Sequence, residues 1–183
     1  MQSSALSAYA KRLEPQARQD TTLLIFACQG AMKFPRLATG TEDEDAAANA
    51  VIAALGLPEQ EVDAIREQAL WVRQAAMRYL MTEDEELAEE LWAGWSVEQL
   101  SDVYWFLCAV TCFDLEDLRE EDEDILEMLE LARDWMAQES NLTDDLVETL
   151  SKRAKEAHKH LLQMDRYRGN IALNDNDVPL RSG

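Results

Sequence analysis

Ser96-Val-Glu-Gln-Leu-Ser-Asp-Val-Tyr-Trp-Phe-Leu-Cys-Ala-Val-Thr-Cys-Phe113 is the stretch that decides the fold, because from Val103 onward Thr111 is its one polar residue. A helix carrying that run has no face to give to water. It is expected at the centre of the molecule, with the amphipathic segments before and after it packed around it by their single apolar stripes.

Composition agrees with that picture. The chain has 183 residues, 47% of them hydrophobic, which suffices for one core. Six Gly and four Pro leave little material for sheet turns or linkers. The fold class expected is all-α: one domain of seven or eight helices over residues 1–168, then an irregular C-terminal tail, 169–183. No run approaches the roughly 20 apolar residues of a membrane helix, and the N-terminus lacks the basic start and apolar centre of a secretion signal. Cytoplasmic location is the expectation. Cys28, Cys108 and Cys112 are odd in number and lie in apolar segments, so they read as reduced core thiols rather than a disulfide framework.

Outward from the central stretch, local signals divide the chain. Ser3 or Ser4 caps a first helix, Pro15 breaks it, and a second helix with the apolar centre Leu23–Cys28 runs to about Lys33. Thr41 with Glu44, Thr82 with Glu85, and Ser96 with Gln99 each read as a capping box. Gly56 and Gly94 read as helix ends, and Pro58 as the start of a helix to about Met81. The helices on either side of Gly94 are expected to form a tight hairpin. After Phe113, the residues Ile125, Met128, Leu129, Ala132, Trp135 and Met136 mark an inward stripe. The last long helix starts near Asn141 and Thr143 and buries Leu146, Leu150, Ala154, Ala157, Leu161 and Met164.

The net charge is −20, and one block carries it: residues 82–150 hold 23 Asp and Glu against Arg119 and Arg133, a net of −21. Such a block repels nucleic acid and attracts basic partners. Glu120, Glu123, Glu127, Glu130 and Asp134 recur at steps of three and four, so they form an acidic ribbon on one helix face with no interleaved cation to relieve the repulsion. These five are the expected partner-binding residues. The sign changes near the C-terminus, where residues 151–168 carry six basic and two acidic residues.

Two constellations suggest catalysis. Glu85, Glu86 and Glu89 on one side of Gly94, and Glu98 and Asp102 on the other, place carboxylates on two adjacent helices, a donor set for a divalent cation. These residues resemble the all-α nucleoside-triphosphate pyrophosphohydrolases of the MazG type, in which a Glu-Glu-x-x-Glu helix and a Glu-x-x-Asp helix hold magnesium. Gln99 stands where the pattern has its second Glu. The resemblance covers about residues 82–113 and implies magnesium as cofactor at Glu85, Glu86, Glu89, Glu98 and Asp102. Separately, Arg153 and His158 have the Arg-x4-His spacing that is similar to the ribonuclease motif of HEPN bundles. His158 and His160 otherwise read as surface residues, and Trp92 and Trp95 flank a turn where they can anchor a partner.

The sequence thus offers three functions. The first is an acidic module or inhibitor, of the immunity-protein or nucleic-acid-mimic type, that neutralises a basic protein and needs no cofactor and no catalytic residue. The second is the magnesium-dependent nucleotide hydrolase. The third is a helical adaptor whose charge keeps it soluble.

Overall fold

A computed structural model describes residues 4–28, 44–80, 84–112 and 120–176. Among them are eight helices and no strand: α1 (Ser4–Lys11), α2 (Pro15–Cys28), α3 (Glu44–Leu55), α4 (Glu59–Leu80), α5 (Glu85–Ala93), α6 (Val97–Val110), α7 (Glu120–Glu139) and α8 (Asp144–Asn176). The expected all-α bundle is what forms, and no described helix is long and apolar enough to cross a membrane.

α6 is the centre. Every residue from Val103 to Val110 is buried, and α8, α7 and α4 pack on its different sides. Its start is fixed by a complete capping box: the Ser96 N–H donates to Gln99 Oε1 at 2.9 Å and the Gln99 N–H donates to Ser96 Oγ at 3.1 Å. α2 is buried along its length from Asp20 through Ile25 and lies between α4 and α8. Thr21 and Thr22 tolerate that burial because their hydroxyls donate to the carbonyls of Ala17 and Arg18, at 2.7 and 2.8 Å. The break before α2 is closed by Arg18, whose guanidinium donates to the carbonyls of Leu13 and Lys11 left open at the end of α1.

Local punctuation partly departs from the expected signals. Gly56 ends α3 with φ of 66°, the left-handed conformation that a Cβ penalises. Pro58 lies just ahead of α4, its carbonyl accepting from the Val62 N–H at 3.0 Å. Asp84, not Thr82, caps α5, accepting from the Glu86 N–H at 3.0 Å; Thr41 and Thr82 lie outside the described residues. α5 and α6 do not pack side by side as the expected hairpin; α6 packs instead on α4, α7 and α8. α8 continues to Asn176, beyond the residue 168 at which the sequence reading starts an irregular tail.

α7 keeps most of its expected stripe: Leu129, Ala132 and Met136 are buried and Trp135 is half-buried against the core, while the side chain of Ile125 lies outside the described residues. Leu126 is buried and Met128 is 49% exposed, so the inner face is Leu126, Leu129, Ala132 and Met136. On α8 the expected inner face holds, from Leu150 through Ala154, Ala157 and Leu161 to Met164.

Candidate functional site

Three charged regions result from this packing. The first is the outer face of α7. Asp124, Glu127, Leu131 and Asp134 follow one another at steps of three and four, which places them in one row on a helix. All four are exposed, and Leu131, in the middle of the carboxylates, is 64% exposed. Glu130 is half-buried at the edge of the row and Met128 adds a second exposed apolar side chain. Of the expected ribbon, Glu127, Glu130 and Asp134 are thus located, while the side chains of Glu120 and Glu123 lie outside the described residues.

The second region is a polar seam through the bundle. Asp20 of α2, buried, accepts two parallel hydrogen bonds from Arg153 of α8, at 2.8 and 3.1 Å, and a third from Gln16 Nε2 at 2.9 Å. This fork-on-carboxylate geometry is the strong form of an ion pair, and it satisfies the carboxylate that burial would otherwise penalise. Beside it, Asp102 of α6 accepts from Gln68 Nε2 of α4 at 3.0 Å. Burial raises the Asp102 pKa above its ordinary value, and Glu98 adds to the rise, while the Gln68 hydrogen bond and the Arg153 charge pull it down. The five carboxylates of the magnesium reading therefore do not converge. Glu85, Glu86, Glu89 and Glu98 are exposed and Asp102 turns to Gln68; among the described residues no three His, Cys, Asp or Glu side chains form a group that could hold a metal ion.

The third region is a cavity of about 680 Å³ between α6, α7 and α8. The end of α6 and the two residues after it supply the floor, with Tyr104, Cys108 and Thr111 four and three apart on one stripe and Cys112 beside them. α8 supplies a wall, a second stripe running from Ser151 through Lys155, His158, Lys159, Leu162 and Gln163 to Arg166. α7 contributes Arg133, whose Nη1 donates to Thr111 Oγ1 at 2.8 Å and whose Nε donates to Asp134 Oδ1 at 3.1 Å. Four of the lining residues are cationic, and none of the described ones is Asp or Glu, in a chain with 37 carboxylates. Both thiols are held neutral by burial: Cys108 is pushed up to about 11, and Cys112 is raised despite Lys155 and Arg133 nearby.

With that geometry in place, comparison with known proteins gives a short answer. The chain matches no family model, no curated protein and no solved structure. Function therefore rests on the side chains themselves.

Those side chains revise several sequence readings. His158 is buried, not on the surface; its Nδ1 lies 2.9 Å from the Ala109 carbonyl, which can only accept, so Nδ1 carries the proton. His160 is half-buried, its Nδ1 2.7 Å from the Tyr9 hydroxyl, and burial lowers its pKa. Arg153 and His158 do not act on one site: the Arg is engaged with Asp20, and only the His reaches the cavity. Trp92 is no surface anchor, because it is buried against the rings of Tyr79 and Trp135, each with a centroid 5.4 Å away. Trp95 stands edge-on to Trp71 at 5.7 Å.

Proposed function

We propose that this chain is a binding module that neutralises a basic protein through the outer face of α7. The observation that carries the reading is Leu131, exposed at the middle of a row of carboxylates. A carboxylate row on its own is what any acidic surface shows. An apolar side chain at its centre adds what water alone does not call for, a residue that gains from being covered, surrounded by charges that select what covers it. The matching partner presents Lys or Arg around an apolar patch. The nucleic-acid-binding cleft of a toxin or defence enzyme has that chemistry, with the carboxylates standing where phosphates would lie.

The test is capture with a tagged chain from its native host, comparing the wild type with Asp124→Lys/Glu127→Lys/Leu131→Ser. These positions avoid Asp134 and Glu130, which interact with Arg133 of the cavity. A basic protein retained by the wild type, released as salt rises, and lost from the variant supports the proposal. If the captured proteins are acidic or bind both forms equally, the row serves solubility and the adaptor reading replaces this one.

A further inference from the structure

The cavity between α6, α7 and α8 has no part in a surface that binds basic proteins, and its charge has the opposite sign. We propose that it is a binding site for a phosphate-bearing small molecule of about nucleotide size. Three features on three helices point there. Arg133 is held by Thr111 on one side and Asp134 on the other, so its guanidinium is pre-oriented rather than sweeping solvent; a fixed planar fork suits phosphate oxygens. Lys155 and Lys159 are exposed on successive turns of α8, about 6 Å apart at the backbone, and Arg166 continues the row two turns on. A row of that length, roughly 16 Å from Lys155 to Arg166 at 1.5 Å per residue, fits linked phosphates with an organic part better than a single small anion. The remaining lining, Tyr104, Leu162, Ser151 and Gln163, offers the apolar and neutral polar contacts an organic part uses, and about 680 Å³ is within the range of small-molecule sites.

The whole chain is strongly negative, which repels anions at long range. Screening confines that repulsion to about 8 Å at physiological salt, whereas Lys155, Lys159 and Arg166 act at contact distance within a concave site, with Arg133 sharing its charge with Asp134. The cavity also holds two thiols, which would suggest covalent chemistry. Burial keeps both protonated at neutral pH, so they serve as floor rather than as nucleophiles, and the site binds without reacting.

The experiment is calorimetric titration of the full chain at physiological ionic strength with inorganic pyrophosphate and with ADP, using succinate as a dianion without phosphate. The expected result is saturable one-to-one binding of both phosphate probes, tighter for ADP, with succinate at least about tenfold weaker. Lys155→Glu/Lys159→Glu changes exposed side chains only and should keep the thermal midpoint while weakening both phosphate probes by about tenfold or more. In parallel, ADP should raise the thermal midpoint of the wild type but not that of the variant. No saturable binding at millimolar probe, equal binding by the charge-reversed variant, or succinate binding as well as pyrophosphate would each overturn the proposal. So would self-association that the variant abolishes, because the acidic helix of a second copy would then be the occupant.

Discussion

α6 and α7 lie against each other, yet they use their residues in opposite ways. From Val103 to Thr111, α6 gives no side chain to water; α7 gives water a whole face, on which Leu131 stands 64% exposed. α6 makes the bundle and α7 makes two surfaces at once, the carboxylate row outside and Arg133 turned into the cavity. Residues that hold the fold and residues that meet other molecules are thus separable helix by helix, and each kind fails differently when changed.

The contrast breaks most visibly at Leu107, which is fully buried. Leu107→Ala should cost about 2 to 5 kcal/mol and lower the thermal midpoint by many degrees. An unchanged midpoint would mean that α6 is not the centre of the core.

A smaller effect is expected at Asp102, on the edge of α6. Its raised pKa means that the folded protein holds the proton more tightly than the unfolded chain does, so ionisation costs stability. That cost is present above the raised folded value and disappears as pH falls through it toward the ordinary value of about 4. Asp102→Asn keeps an acceptor for Gln68 and should melt slightly higher than the wild type near neutrality, with the two curves meeting in acid. A variant that melts lower at neutral pH would show that the carboxylate is favourably paired instead.

The smallest effect belongs to α7. Leu131→Ser should leave stability within about 0.5 kcal/mol of the wild type, since Leu131 is already largely exposed. A loss of several kcal/mol in chemical denaturation would make Leu131 a hidden part of the core and remove the reason for proposing a partner there.

The same contrast explains what the sequence made legible. α6 could be read because its burial does not depend on rotation: any register leaves an all-round apolar helix inside. α7 has apolar residues at 125, 126, 128, 129, 131, 132, 135 and 136, enough for two overlapping stripes, and periodicity alone cannot choose between them. Packing buries Leu129, Ala132 and Met136, which the sequence reading includes, and adds Leu126 in place of Met128. His158 was legible and missed: four residues after Ala154 and three before Leu161, it lies on the inner stripe of α8. Lys155, Lys159 and Arg166 could likewise be read as one basic row. That the row faces Tyr104, Cys108 and Thr111 could not, since only the packing of α8 on α6 brings them together. The carboxylates around Gly94 are near in sequence, which suggests a hairpin, but α6 packs on α4, α7 and α8 instead of α5.

The pair between Asp20 and Arg153 joins residues 133 apart in the chain. During synthesis at about 5 to 20 residues per second, Asp20 therefore emerges roughly 7 to 27 s before the guanidinium that will hold it. Over that interval Gln16 of the same helix is the side chain within reach of Asp20, and the seam between α2 and α8 stays open. The bidentate pair thus ties an early helix to the last one, and what it contributes to the fold is absent until α8 is made.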